Sequence, residues 1–472
     1  MLSPGLSGSI ALITEEGIRA MPFFQEKMHK DPDMYVFEHA RTVSGQTIDA
    51  FPALLTGCLP YTDEAVEWVH TPGRSLAYDF RDGLGYDTAS FTGRHIDGEV
   101  IKGKWEMMYD LLTGAMEKIL DPKDMGWPKQ NSNGSDDRKL LKEFKSWLAE
   151  LDDSRKTDAN SPIEDRASFY AQFYLYNTHF PFFKDPNNPS PFNTIQTRNT
   201  PGKRFYDSLV TTDQFLKSLF DILDETGRLK NTIIIGSGDH GDDPLKRSYV
   251  RNRAYTSNVL QVAPYIYYPR HLMPNPGIGE RLRRNTKQPV HILDLFPTTY
   301  SISHGGGGHD NAAQLFQQHF PDGCITGVDL TSVDIPDDRV TISWNKASAR
   351  TAPRGGRPNA PKPRGSLWAL HARDPQSGEE FSLYHRDFTE PHKAINQNPV
   401  ATYVLLYGKC LKNTNFNNLC MSGVKDSHKA LFRKAISWIK TSQGFFDNGV
   451  RSSELVEFFS TVVGWEETSE TK

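Results

Sequence analysis

Asp239 and His240 follow a short apolar run, Asn231-Thr-Ile-Ile-Ile-Gly-Ser-Gly, and Gly241 comes next. The β-branched residues of this run predict a buried strand of a parallel sheet. A carboxylate and an imidazole at the carboxyl end of such a strand lie where open α/β sheets bind their ligands. The pair is therefore a candidate for binding a metal ion. The residues leave one alternative open, a turn that carries no chemistry.

Thr47 is the candidate nucleophile. It lies in the segment Ser44-Gly-Gln-Thr-Ile-Asp-Ala-Phe-Pro-Ala-Leu-Leu-Thr-Gly57, where a polar loop enters a short helical stretch. Backbone N–H groups and the helix dipole stabilise an anion at such a position. The alternative is that Thr47 only caps the helix, with Asp49 in the first turn.

Further motifs follow in order between about residue 40 and about residue 400. They are Gly85-Tyr-Asp-Thr-Ala-Ser-Phe91, Asn177-Thr-His-Phe-Pro-Phe182, Val262-Ala-Pro-Tyr-Ile-Tyr-Tyr-Pro269, His291-Ile-Leu-Asp-Leu-Phe-Pro-Thr298 and Ser382-Leu-Tyr-His-Arg-Asp-Phe-Thr-Glu-Pro391. Together with the segments at Thr47 and Asp239, this series resembles the sulfatase branch of the alkaline phosphatase superfamily. The resemblance implies an α/β fold with a large, mainly parallel sheet, helices on both faces and a smaller C-terminal α+β subdomain. It also implies a metal-dependent enzyme acting on anionic esters.

The nucleophile departs from the sulfatase pattern. Sulfatases place a Cys, or rarely a Ser, at this position and oxidise it to formylglycine, whereas this chain has Thr47. A threonine has a methyl group on Cβ and cannot become formylglycine. Thr47 resembles instead the phosphodiesterase and phosphoglycerol or phosphoethanolamine transferase branches, in which a covalent phospho-threonine forms. Alternatives are a sulfuric ester hydrolase in the broad family sense and a non-catalytic binding protein with this fold.

The resemblance implies that Asp239, His240 and Thr47 bind the metal ion. Many sulfatases carry Asp-Asn at the position of Asp239 and His240, an oxygen set that suits calcium. An imidazole favours zinc or manganese, with calcium as the remaining possibility.

The resemblance also implies residues that contact the anionic ester. His179 is expected to contact the substrate or its leaving group as a general acid. His95, in Phe91-Thr-Gly-Arg-His, and the cations Lys246 and Arg247 are expected to bind the ester oxygens. Arg94, Arg251 and Arg253 are further candidates, and His291 and Asp294 are expected to cap a helix. The alternative for each is an ordinary structural or solvated role.

The amino-terminal part departs from the family as well. The family begins with an apolar strand that ends in an acidic metal ligand, and the run Ile10-Ala-Leu-Ile-Thr14 is shorter than that strand. We therefore expect this strand and its ligand to be missing from the chain. Glu15 or Glu16 is the alternative ligand.

Two domains are expected. Residues 1–335 alternate strand-like and helix-like stretches and form the catalytic domain, with residues 121–165 expected as a surface insertion. Residues 336–472 form the smaller subdomain, with a basic Pro/Gly-rich loop at 347–365 and terminal helices near 426–465.

The composition and the net charge of the chain limit the classes of partner that it is expected to bind. The chain has 472 residues and a formal net charge of −4, which argues against general binding to nucleic acid or to a membrane surface. No run of eighteen apolar residues and no signal peptide are present, so the sequence predicts no transmembrane segment and leaves the compartment open. The four cysteines fit no metal spacing, and Cys410 and Cys420 either form a bridge or remain thiols. The oligomeric state is left open.

Overall fold

The structure is a computed structural model. It describes residues 15–60, 69, 74–95, 114–129, 134–157, 160–162, 165–179, 181–183, 185, 192, 200–241, 257–305, 324–346, 366–373, 380–386 and 403–407.

A three-stranded parallel sheet lies at the centre of the first domain, with the strand order β5-β4-β6. Its strands are β4 (Asp87–Thr92), β5 (Lys118–Leu120) and β6 (Phe169–Tyr174). Along β4 and β6, residues pair from Asp87 with Phe169 to Thr92 with Tyr174. The expected α/β fold with a parallel sheet is confirmed.

A second three-stranded sheet is antiparallel and has the order β1-β9-β7. It is formed by β1 (Met34–Val36), β7 (Ile234–Gly236) and β9 (Tyr265–Tyr267). The described residues also contain two short antiparallel pairs. They are β2 (Ala40–Arg41) with β8 (Gln261–Val262), and β3 (Cys58–Pro60) with β10 (Cys324–Thr326).

Nine helices and shorter helical turns complete the described part of the first domain. The helices are α1 (Glu15–Ala20), α2 (Pro22–Lys30), α3 (Thr47–Thr56), α4 (Leu76–Tyr78), α5 (Lys139–Arg155), α6 (Thr200–Glu225), α7 (Ser257–Leu260), α8 (Gly277–Asn285) and α9 (Leu295–Ser303). The turns are Asp79–Gly83, Leu229–Asn231, Arg270–Leu272 and Ile292–Asp294. Among the described residues, no helix is both long enough and apolar enough to span a bilayer.

Helix α5 corrects the expectation of a surface insertion at residues 121–165. The apolar face of α5 is buried, and Phe144 and Trp147 pack edge-on against Phe91 of β4. Phe91 in turn stacks on Phe173 of β6, with 4.9 Å between ring centroids. The charged residues that suggested an insertion occupy the outer face of a helix that covers the parallel sheet.

A side chain from α6 caps α2. The carboxylate of Asp213 accepts hydrogen bonds from the backbone N–H groups of Phe23 and Phe24, at 3.0 and 2.8 Å. Acidic groups are favourable at this end of a helix because its first N–H groups have no partner within the helix. Burial raises the pKa of Asp213 to about 6.

A four-stranded antiparallel sheet forms the described part of the smaller subdomain. Its strands are β11 (Thr341–Lys346), β12 (Ser366–Arg373), β13 (Glu380–Arg386) and β14 (Tyr403–Tyr407), in that order. The basic loop 347–365, the terminal helices and Cys410 and Cys420 lie outside the described residues. The domain boundary near residue 335 stays a prediction.

Candidate active site

Thr47 is the first residue of α3, as the loop-to-helix pattern predicts. Gln46 precedes it in an extended conformation, and the N–H of Gln46 donates to Ser44 Oγ at 3.2 Å. The helix ends at Gly57, whose φ of 72° favours glycine. A Cβ at Gly57 would also lie 2.7 Å from the ring of Phe296. These two ends fix the position of Thr47, which is 8% exposed.

Asp239 and His240 follow the strand β7, as the apolar run predicts, but the described pairing of β7 with β9 is antiparallel and not the expected parallel one. The carboxylate of Asp239 is fully buried, and its Oδ1 accepts the backbone N–H of His240 at 2.9 Å. Its Oδ2 has no hydrogen-bond partner among the residues that the structure describes. A buried carboxylate oxygen without a partner is costly unless a cation or a donor satisfies it.

Folding brings Thr47 and His240 together across 193 residues. Thr47 Oγ1 lies 3.2 Å from His240 Nε2, and that nitrogen lies 3.6 Å from Asp239 Oδ2. A hydroxyl, an imidazole nitrogen and an unsatisfied carboxylate oxygen therefore converge at the carboxyl end of β7. This donor set fits a divalent cation.

The tautomer of His240 follows from its second contact. Nδ1 lies 2.7 Å from the carbonyl oxygen of Gly241. A carbonyl only accepts, so Nδ1 carries the proton and a neutral ring has its lone pair on Nε2. That lone pair faces Thr47, where it can accept the hydroxyl proton or bind a cation. Metal-binding histidines commonly donate their other N–H to a backbone carbonyl in this way.

A buried chain of hydrogen bonds supports Asp239 from the smaller subdomain. The hydroxyl of Thr42 donates to the backbone carbonyl of Asp239, and Ser343 Oγ on β11 donates to the carbonyl of Thr42. His371 Nε2 on β12 lies 3.0 Å from Ser343 Oγ. Because Ser343 already donates its hydroxyl proton to the carbonyl of Thr42, His371 Nε2 donates the hydrogen bond to Ser343 Oγ. The antiparallel sheet thereby holds the backbone that carries the candidate ligand.

The end of β6 supplies further side chains. Burial raises the pKa of the Tyr174 phenol. The positive charge of Arg94 lowers this pKa and the negative charge of Asp239 raises it further, so Tyr174 lies within electrostatic range of both residues. The guanidinium of Arg94 lies 5.8 Å from the ring centroid of Tyr176. The ring of His179 stacks on Tyr176 at 4.3 Å. Arg94 and His179 therefore contact the same aromatic ring, and the role of His179 toward an ester stays a prediction.

His95 is bound into the fold through one ring nitrogen. Its Nε2 lies 2.8 Å from Ser135 Oγ, whose proton goes to the carbonyl of Pro128. His95 Nε2 is therefore the donor. A contact of His95 with the substrate stays a prediction.

Asp137 is a residue that the sequence analysis missed. It is buried, and its two oxygens accept the backbone N–H groups of Tyr176 and Asn177 at 2.7 to 2.9 Å. A Cβ at Gly93 would lie 1.8 Å from Asp137 Oδ1, so glycine is needed there. Burial raises the pKa of Asp137 to about 8, against the lowering effect of the backbone donors. Asp137 holds the turn that carries His179, and no motif in the sequence marks it.

The structure describes some of the other predicted residues and leaves others outside its described ranges. Lys246, Arg247, Arg251 and Arg253 lie outside the described residues. Glu15 and Glu16 lie in the first turn of α1. In the part of the chain that the structure describes, no three His, Cys, Asp or Glu side chains gather as a metal site.

His291 and Asp294 cap the turn Ile292–Asp294, as expected. The ring of His291 accepts the N–H of Leu293, and Asp294 accepts the N–H of His291. Asp294 also forms a bidentate ion pair with Arg339, at 2.6 and 2.8 Å. The carboxylate of Asp294 is fully buried, and the side chain of Arg339 is 19% exposed.

The sequence profile of the Sulfatase family matches residues 11–304. This match covers more than half of the chain, which therefore belongs to the sulfatase family. Family members act with bound metal ions on sulfate or phosphate esters, and Asp239, His240 and Thr47 form the donor set described above. A search of curated protein sequences finds no match.

Solved structures share the fold. The phosphonate monoester hydrolase SpPMH from Silicibacter pomeroyi aligns with a TM-score of 0.55 and 14% identity, over 96% of this chain and 96% of that chain. The yidJ protein from Bacteroides fragilis aligns with a TM-score of 0.53 and 11% identity, over 93% and 94% of the two chains. At these identities the likeness establishes the alkaline phosphatase-like fold alone.

Proposed function

We propose that the chain is a metal-dependent enzyme that hydrolyses or transfers phosphate esters, with Thr47 as its nucleophile. The observation that carries the proposal is the approach of Thr47 Oγ1 to His240 Nε2 at 3.2 Å, beside the unsatisfied Oδ2 of Asp239. A nucleophile needs a base or a cation within hydrogen-bond reach. At this site His240 Nε2 can serve as the base or, together with Asp239, hold the cation.

The reaction proceeds in two displacements. Asp239 and His240 would hold a divalent cation, which would lower the pKa of the Thr47 hydroxyl and screen the negative charge of the ester. Thr47 gives its hydroxyl proton to water as Oγ1 attacks phosphorus, the bond to the leaving alcohol breaks, and His179 gives that alcohol a proton. Water or a second alcohol then attacks the phospho-threonine and frees Thr47.

Two features favour phosphoryl over sulfuryl transfer. Thr47 has a methyl group on Cβ and cannot be converted to formylglycine. The imidazole of His240 favours zinc or manganese, although calcium remains compatible with the oxygen ligands. The substrate is an anionic ester, for which we propose His95, Lys246 and Arg247 as further contacts.

The nucleophile is tested with bis(p-nitrophenyl) phosphate and added manganese or zinc. We expect turnover, and a phosphoryl adduct on the peptide that contains Thr47. Thr47→Val should lower the rate by at least about 1000-fold, as for other nucleophile deletions. Thr56→Val is the matched control, because Thr56 lies at the far end of α3 and donates to Pro52.

Two results would count against this reaction. Turnover of an aryl sulfate that survives Thr47→Val would remove Thr47 from the chemistry. Unchanged manganese and zinc affinity in both Asp239→Asn and His240→Gln would remove the metal assignment. Because only two His, Cys, Asp or Glu side chains meet at the described site, a non-catalytic binding protein is the second candidate. Tight metal binding without turnover would favour it.

A further inference from the structure

Three aromatic rings surround the ammonium group of Lys27 on α2. Lys27 Nζ lies 4.9 Å from the ring centroid of Phe220 on α6, and 5.9 Å from the centroids of Phe23 on α2 and Tyr267 on β9. A cation at such a distance is attracted by the negative face of an aromatic ring. These three rings are called the Lys27 cage below. None of its residues belongs to the candidate active site.

The walls of the Lys27 cage stand steeply against one another. The ring planes of Phe23 and Phe220 meet at 67°, with 5.5 Å between centroids, and those of Phe220 and Tyr267 meet at 74°, with 5.1 Å between centroids. Phe220 and Tyr267 belong to the hydrophobic core, and Phe23 packs against it. Because core packing holds all three rings, the cage is pre-organised for a cation.

Carboxylates add negative charge around the Lys27 cage. Asp31 Oδ2 accepts a hydrogen bond from the ammonium group at 2.8 Å. Burial raises the pKa of the Tyr267 phenol to about 12, and the charges of Asp31, Asp33 and Asp224 add to this effect, so all three lie within electrostatic range of the ring. Arg270 lies 3.4 Å from Asp33 and compensates one of these charges. The remaining two favour a cation and repel an anion.

Lys27 itself is an imperfect occupant of the cage. Its ammonium group has three N–H donors, whereas Asp31 is its one hydrogen-bond acceptor among the residues that the structure describes. A nitrogen that carries methyl groups in place of hydrogens leaves no donor unpaired and presents apolar surface to the rings. The side chain of Lys27 is 25% exposed and its four-carbon stem is flexible, so the ammonium group can turn out into solvent.

We propose that the Lys27 cage is a binding site for a small quaternary ammonium cation, which enters as Lys27 turns out into solvent. The ligand carries no anionic group near its nitrogen, because Asp31 and Asp224 repel one. Choline has this chemistry. Phosphocholine, free or as a lipid headgroup, does not, because its phosphate lies close to the nitrogen. The site binds a ligand without transforming it and is independent of the reaction proposed at Thr47.

Titration calorimetry of the full chain with choline tests the proposal. We expect saturable binding of one equivalent to wild type, and binding at least about fivefold tighter to Lys27→Ala, which loses the competing occupant. The neutral isostere of choline, 3,3-dimethyl-1-butanol, has carbon in place of nitrogen and should bind at least about tenfold more weakly, as should phosphocholine. Lys30→Ala is the matched control and should match wild type, because Lys30 pairs with Glu26 on the same helix and its side chain is 76% exposed.

The rings are tested by Phe220→Leu and Phe23→Leu, each combined with Lys27→Ala. Each change keeps an apolar side chain but removes one ring face, and should weaken choline binding by at least about fivefold. Phe23 is half-buried, so Phe23→Leu keeps the test available if Phe220→Leu does not fold.

Four results would overturn the proposal. They are the lack of saturable choline binding by wild type and Lys27→Ala, equal affinity of these two chains for choline, equal affinity for choline and either its neutral isostere or phosphocholine, and unchanged binding after loss of either ring. None of these readouts involves catalysis, so a failure here leaves the proposed function untouched.

Discussion

The hydroxyl of Thr42 donates a hydrogen bond to the backbone carbonyl of Asp239, and both residues are fully buried. Thr42 is itself held by Ser343 of the smaller subdomain. The position of the candidate metal ligand therefore depends on a residue that touches neither metal nor substrate. Groups that orient ligands in this way commonly change metal affinity by about 10- to 100-fold.

Thr42→Val tests this relationship with almost no change in volume. We expect manganese or zinc to bind at least about tenfold more weakly, because the Asp239 backbone loses its anchor. Titration calorimetry measures the affinity. Thr226→Val is the matched control, since its hydroxyl donates to Ile222 in the last turn of α6. Equal affinities in the two variants would show that Thr42 serves stability alone.

The buried pair of Asp294 and Arg339 should contribute strongly to stability. Arg339→Met leaves a fully buried carboxylate with only backbone donors, and we expect the free energy of unfolding to fall by about 3–5 kcal/mol. Urea denaturation measures the change. Arg284→Met is the control, because the pair of Arg284 and Asp334 is more than half exposed and should cost at most about 1 kcal/mol. Similar losses in both variants would contradict this view.

Asp137 should make stability depend on pH. Burial raises its pKa from 3.8 to about 8 in the folded chain. Between these values the folded chain keeps a proton that the unfolded chain has lost, so stability falls as pH rises through this window. Asp137→Asn cannot titrate and should show a flatter profile.

Urea denaturation at several pH values checks this prediction. As pH rises from about 4 to about 8, the free energy of unfolding of wild type should fall relative to that of Asp137→Asn. The fall should exceed about 1.4 kcal/mol, the equivalent of one pKa unit. Asp124→Asn, at an exposed aspartate, is the control and should follow wild type. A parallel profile for Asp137→Asn would show that Asp137 is ionised in the folded chain.

The sequence predicts the local features of the site and misses the long-range ones. The apolar run before Asp239 and the loop before Thr47 predict a strand end and a helix start because both patterns are local. Thr42, Asp137 and Ser343 act through hydrogen bonds to backbone groups that lie far away along the chain. Such bonds produce no recognisable pattern of residue spacing in the sequence, so they are seen only in the folded chain.

Charge also misled the interpretation of α5. A composition rich in Lys, Asp, Ser and Pro over residues 121–165 suggested a surface insertion, although six apolar residues of α5 share one face of the helix. The amino-acid composition of a segment includes the charged residues on the solvent-facing side of the helix, whereas packing depends on the apolar residues that face the sheet. Cys58 is disulfide-bonded, which the sequence did not predict because cysteines that pair in the fold need not lie close together along the chain.

The cap on α2 has a consequence for biosynthesis. Asp213 lies 189 residues after Phe24, whose N–H group it accepts. At translation rates of about 5–20 residues per second, roughly 10 to 40 seconds pass between the synthesis of α2 and the synthesis of the carboxylate that caps it. During that interval the amino-terminal helices lack both their cap and the helix they pack against. A nascent chain is therefore exposed to chaperones and proteases first at its amino-terminal end, long before the candidate site is assembled.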